Sequence, residues 1–248
     1  MQHWRLDCSR QTLVLAATGA RLPQVVYWGA PLPAREDLST INAAHALDVT
    51  GGMLDENPDL SICPEASRTF PGQPGMIIRS ENSTPLLPKF CFEGDDVSED
   101  ALTLIYRDKG HGLNYTAKFA IDLITHIITA QATLEADAPV HLDWLSAPVF
   151  PASQQCADMI DFAGRWCGEF QPHRTAWSPG IRMRENRTGR TGHEHFPGLI
   201  IPEFGATNTT GTAHAFHYGW SGGHKMIAEE LPDGRRQIQF GNAPRVEA

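Results

Sequence analysis

From residue 101 to residue 135 the chain alternates apolar with polar side chains over three runs, 101–107, 114–121 and 126–135. Successive strand residues point to opposite faces, so Tyr115, Ala117, Phe119 and Ile121 share one face and the three runs predict a β-meander. The connector Asp108-Lys109-Gly110-His111-Gly112 supplies two glycines where the turn calls for positive φ. Val140, Leu142 and Trp144 continue the period of two, and the last third repeats it over 162–170, 180–187, 199–203, 213–220, 225–230 and 235–240. Asp233-Gly234 between the final two runs reads as a two-residue type I′ hairpin turn, which needs positive φ at both positions.

The first ninety residues read differently. Residues 12–16 and 24–28 are brief apolar runs bounded by Gly or Pro, hence short strands. Residues 35–46 predict the one helix: Leu38, Ile41 and His45 fall on one face, and Glu36 and Asp37 sit in its first turn, favourably placed for the helix dipole. Residues 48–88 form a loop-rich stretch dense in Gly, Pro, Ser and Asn, and so long a loop in a compact domain is usually functional or disordered. Ten or more strands, one helix and no repeat or linker predict an all-β chain of packed antiparallel sheets forming a single domain over residues 1–248.

Composition narrows the function. All-β domains of about 200 to 250 residues are common, and 41% hydrophobic residues allow a substantial core in this 248-residue chain. A formal net charge of -9 argues against a nucleic-acid partner, because neutralising phosphates needs an excess of clustered Lys and Arg. The start lacks the charged and then apolar run of a secretory signal, and no apolar stretch approaches the roughly 20 residues of a membrane span. A cytoplasmic location is expected. Cys8, Cys63, Cys91, Cys156 and Cys167 are irregularly spaced with no C-x-x-C pair, and read as free thiols.

Three constellations carry candidate chemistry. His193 and His195 at i and i+2 on a strand would point the same way and could share a cation, but no third ligand is near in sequence; hydrogen-bonding histidines are the plainer reading, and no metal or cofactor is expected. Arg182, Arg184, Arg187 and Arg190 form a basic run beside Glu185 and Glu194, either a solvated face or a salt-bridged interface with another domain or subunit. Trp144, Trp166, Trp177, Phe216, Tyr218 and Trp220 offer flat rings suited to sugar faces or to core packing. No carboxylate pair is singled out for glycoside hydrolysis, and G-x-S-x-G, P-loop, G-x-G-x-x-G and H-E-x-x-H patterns are missing.

Particular segments then resemble a known family. Phe162-Ala163-Gly164-Arg165-Trp166, Glu169-Phe170-Gln171, the run from Arg184 to Thr191, the run from His193 to Ile200, the run from Phe216 to His224 and the run from Leu231 to Gln237 are similar, in order, to the N-terminal domain of glycoside hydrolase family 36 α-galactosidases. The runs from Asp143 to Val149 and from Pro64 to Arg68 add to the likeness.

The resemblance implies an antiparallel β-supersandwich, galactose mutarotase-like, that precedes a (β/α)8 catalytic barrel and a small C-terminal β domain. Neither of these is expected in this chain. The family's nucleophile motif, Lys-Trp/Tyr-Asp-x-Asn, does not occur, and the acid/base aspartate also belongs to the barrel, so no catalytic residue carries over. Family members form oligomers in which this domain lends an Asp and an Arg to a galactose pocket. The resemblance places that loop at residues 64–79, with Arg79 as the arginine and Glu65 and Arg68 as further contacts; Phe70 and Pro71 stand near the aspartate's place. Arg184, Arg187, Arg190, His193 and His195 are the candidate interface residues.

The implied function is that of an accessory domain of an α-galactosidase acting on raffinose- or melibiose-type α-galactosides, inactive alone. Its implied partners are the sugar, reached through the complete enzyme, and a homo-oligomer or separately encoded barrel. A free-standing carbohydrate-binding module is the alternative.

Overall fold

The computed structural model describes residues 1–46 and 57–243. Residues 48–56 of the expected loop lie outside the described residues. The chain divides into two compact units, one of Met1–Phe70 with Pro74–Leu142 and one of Pro71–Gln73 with Asp143–Ala248.

The first unit opens with an antiparallel sheet of β1 (Gln2–Asp7), β2 (Thr12–Ala17) and β3 (Gln24–Gly29) in that order. Every residue of β2 is buried, which is why it reads as an unbroken apolar run rather than an alternating one. Helix α1 (Leu38–His45) brings Leu38 and Ile41 onto Val14, Ala16 and Val26. The helix is shorter than expected because Asp37 caps it: its carboxylate accepts from the Ser39 N–H (3.0 Å), the Ser39 hydroxyl (2.5 Å) and the Thr40 hydroxyl (2.8 Å). Glu36 and Asp37 therefore precede the first turn instead of occupying it.

A short pair, β4 (Met76–Ser80) and β5 (Pro85–Leu86), follows, then the sheet β6 (Cys91–Val97), β7 (Ala101–Asp108), β8 (Leu113–Ile121) and β9 (Ile128–Ala136), ordered β6-β7-β8-β9. This is the expected meander with one strand added. Leu102, Leu104 and Tyr106 of β7 and Tyr115, Ala117 and Phe119 of β8 fill its core face. Of the two turn glycines only Gly112 has positive φ, at 65°; Asp108 shapes the first half of the turn by accepting the Gly110 N–H (2.8 Å). Strand β10 (Val140–Leu145) is ordered β10-β4-β5.

The second unit holds β11 (Phe150–Pro151), β12 (Asp158–Arg165), β13 (Gly168–Ala176), β14 (Gly180–Asn186), β15 (His195–Pro202), β16 (Ala213–His217), β17 (His224–Glu230) and β18 (Arg236–Asn242). They form two four-stranded antiparallel sheets, β13-β12-β15-β16 and β11-β18-β17-β14. Met159, Leu199 and Ile201 of the first pack with Met226, Ala228, Ile238 and Phe240 of the second in one buried cluster, a sandwich core.

Two local expectations fail here for stated reasons. Residues 162–170 are a hairpin, not one strand: Arg165 pairs with Gly168 around Trp166-Cys167, with Cys167 at φ 64°. The close approach of the two arms needs Gly164, whose added Cβ would lie 2.1 Å from the Gly168 carbonyl oxygen. The β17–β18 turn is a three-residue loop. In a two-residue Asp233-Gly234 loop Pro232 would face Arg235 in the closing pair, where the N–H that proline lacks is needed. The Gly234 N–H instead donates to the Leu231 oxygen (2.9 Å), and Gly234 alone takes positive φ, 83°. None of the five cysteines is disulfide-bonded.

Candidate functional site

The expected pocket loop begins with a 3-10 turn at Ala66–Arg68, closed by Thr69 in the left-handed region at φ 58°. Glu65, just before it, is buried and braces two segments. One carboxylate oxygen accepts from the Phe90 N–H (2.7 Å) and the other from Arg68 Nε (2.6 Å). Arg68 Nη2 donates onward to the Phe90 oxygen (3.2 Å), and the Ser67 hydroxyl donates to the Pro88 oxygen (2.5 Å). Gly75 is needed beneath: its N–H donates to the Pro64 oxygen (2.9 Å), and a Cβ there would meet Cys63 Cα at 2.8 Å.

These clips frame a cavity of about 230 Å³ lined by Cys63, Glu65, Met76, Arg79, Leu86 and Phe90 among others. Its walls are mostly apolar, with Arg79 on β4 opposite Pro85 in the strand register. Burial raises the Glu65 carboxyl above its ordinary range, against the Phe90 N–H and the Arg68 charge that favour ionisation. Burial, then the Glu65 charge, also pushes the Cys63 thiol up, so Cys63 stays protonated at neutral pH and is no nucleophile. Glu65 is the one carboxyl among the described residues that line the cavity, where retaining hydrolysis uses two about 5 to 5.5 Å apart.

The five expected interface residues all lie in the second unit. Arg184 Nη2 donates to Asp161 (3.1 Å), whose other oxygen takes Arg182 through Nη2 (2.6 Å) and Nε (2.8 Å). Arg187 pairs with Glu185 (2.7 Å), while the Arg190 carbonyl accepts from Asn186 Nδ2 (3.0 Å). His193 lies before β15 rather than on it, 3.8 Å from Glu169 and beside the Trp166 ring, so strand alternation does not align it with His195. Burial, then Arg184, holds the His195 pKa below its ordinary value. Among the described residues no group of three or more His, Cys, Asp or Glu is arranged to hold a metal ion.

Sequence reasoning missed Asp161 as the hub of the arginine pair, although a lone acid between Ile160 and Phe162 was its signal. It also left undivided the ring group. Trp144 is buried with its Nε1 on Gln239, Trp177 lies under Arg236, and Trp166, 78% exposed, projects from the β12–β13 turn beside His193.

Residues 21–246 match the model described as the glycosyl hydrolase family 36 N-terminal domain. The chain belongs to this family. An Escherichia coli α-galactosidase is 30% identical over 245 residues, covering 96% of this chain and 33% of the relative. The chain thus spans about a third of that family 36 relative's length. A Geobacillus stearothermophilus family 36 α-galactosidase solved with 1-deoxygalactonojirimycin has a TM-score of 0.85 at 17% identity, covering 98% of this chain and 37% of that one. A Lactobacillus brevis α-galactosidase gives 0.82 at 16%, covering 98% and 36%. The all-β, antiparallel fold expected from the sequence pattern and from the family 36 resemblance is the fold found, with one α-helix among the described residues.

Proposed function

We propose that this chain is the accessory N-terminal part of a family 36 enzyme acting on α-galactosides of the raffinose and melibiose type. In this reading it supports a catalytic barrel, contributes subunit contacts and sets residues 64–79 at the rim of a sugar pocket. The observation that carries it is the identity, along nearly the whole chain, to part of an α-galactosidase. The family's solved members include one in complex with raffinose and one in complex with stachyose. Arg79 is the proposed sugar contact, on the wall of the same cavity that Glu65 lines. Five unpaired thiols favour a reducing compartment, the cytoplasm. The test is hydrolysis of nitrophenyl α-galactoside by the purified chain: no turnover is expected, and measurable turnover overturns the accessory reading.

A free-standing carbohydrate-binding module is the second reading, and the exposed Trp166 ring, with His193 beside it and Glu169 near that histidine, favours it. Saturable calorimetric binding of galactose or raffinose by the isolated chain would support the module; no binding supports the accessory role.

A further inference from the structure

The cavity of the first unit is lined in a way that does not suit a buried sugar ring. Met76, Ile78, Leu86 and Phe90, together with four prolines, make up most of its wall. Proline has no N–H to donate, so that part of the wall offers a hydroxyl no backbone donor. Glu65 is already engaged, one oxygen by the Phe90 N–H (2.7 Å) and the other by Arg68 Nε (2.6 Å). A pyranose enclosed here would leave several hydroxyls without partners, and each unpaired polar group lowers affinity. An apolar group meets no such loss. An apolar cavity of about 150 Å³ holds benzene, so one of about 230 Å³ has room for an aryl or branched alkyl group. Arg79, half-buried on β4, is the other charged residue among the described ones that line it. An occupant that is apolar at one end and hydroxylated at the other matches such a wall.

We propose that this cavity takes the apolar aglycone, aryl or branched alkyl, of an α-galactoside, while the sugar stays outside it and meets Arg79. The sugar half of this assignment rests on the reading of residues 64–79 as the rim of a sugar pocket; the aglycone half rests on the cavity alone. The consequence is a preference among galactosides. A hydrophobic aglycone gains the apolar wall of Met76, Ile78, Leu86 and Phe90, whereas a second sugar in the aglycone position leaves that wall empty.

The methyl resonances of Met76 and Ile78 in the purified chain read the occupancy of the cavity. Phenyl α-galactoside should shift them saturably and bind about tenfold or more tighter than methyl α-galactoside, since each buried methylene is worth about fourfold. Ala66 lines the cavity at an exposed position, so Ala66→Phe occupies space there without entering the core. That variant should lose the preference for the phenyl galactoside at an unchanged urea midpoint, and Ala66→Ser should keep it. Equal binding of the two galactosides, or binding of the phenyl galactoside with the Met76 and Ile78 methyls unmoved, overturns the proposal. Toluene tells the two ways of failing apart. If toluene shifts these methyls and neither galactoside does, the proposal falls with the sugar rim and the cavity is a site for free apolar molecules. If toluene is silent as well, the proposal falls because the cavity accepts no apolar group, and the reading of the rim is untouched.

Discussion

Replacing Glu65 with alanine removes both acceptors that join the 3-10 turn to Phe90. The Phe90 N–H is buried and loses its partner, at about 2 kcal/mol; the guanidinium of Arg68 is partly exposed and regains some water, so its share is about 1 kcal/mol. The sum, about 3 kcal/mol, corresponds to a urea midpoint lower by about 1 M, taking a slope of about 3 kcal/mol/M. In a thermal scan it corresponds to a loss of about 6–12 °C for a chain of this length. Hydrogen exchange at the Phe90 amide should accelerate in step.

The effect also has a pH signature. Burial raises the Glu65 carboxyl pKa in the folded chain, so the fold binds this proton more tightly than the unfolded chain does. The associated stability is fully present below the unfolded value of about 4.3 and is lost as pH rises through the folded value. The penalty for Glu65→Ala is therefore larger at about pH 4 than at about pH 8. A midpoint shift below about 0.2 M, or a penalty that grows with pH, would refute the brace and the burial argument respectively.

The second unit should respond to acid in the opposite sense. Burial depresses the pKa values of His195 and His224, which neighbour each other, and Arg184, Asp161 and Glu194 face His195. Their contribution is present above the unfolded value of about 6.5 and is lost as pH falls below it; His224→Gln should flatten that decline in urea midpoints measured across the range. Asp161→Ala leaves the Arg182 and Arg184 charges unpaired beside the core; because both arginines keep some solvent access, the expected cost is about 2–3 kcal/mol by denaturant unfolding. Gly75→Ala drives a methyl against Cys63 and should cost about 1–3 kcal/mol, with a change in the chemical shifts of Cys63 and Met76.

What could be read from the residues depended on one-sided burial. Strand β8 buries alternate positions, so Tyr115, Ala117 and Phe119 announce its period of two. Strands β1 and β6 went unnoticed, because the polar residues of Gln2–Asp7 and the acids of Cys91–Val97 obscure any apolar face. The β12–β13 reversal carries no Gly, Asn or Asp at Trp166-Cys167; the pairing of its two arms, not turn chemistry at the tip, marks it. At the candidate site the loop 64–79 was named through resemblance alone, and what the structure adds is that Arg79 lines a cavity. The brace was not legible. Glu65 and Arg68 meet only because a 3-10 turn sets them three apart, and their shared partner Phe90 is 25 residues from Glu65.

The distribution of the thiols has a practical consequence. Cys63 is buried in the first unit and Cys156 in the second, and burial raises the pKa of each, while Cys91 and Cys167 face solvent. An alkylating reagent will consume the exposed sulfurs at once and reach the two sheltered ones only during transient openings. Mass spectrometry of peptides bearing Cys63 and Cys156 then supplies two internal clocks, one per unit, with no label introduced. Running them with and without a galactoside would reveal which unit a ligand steadies.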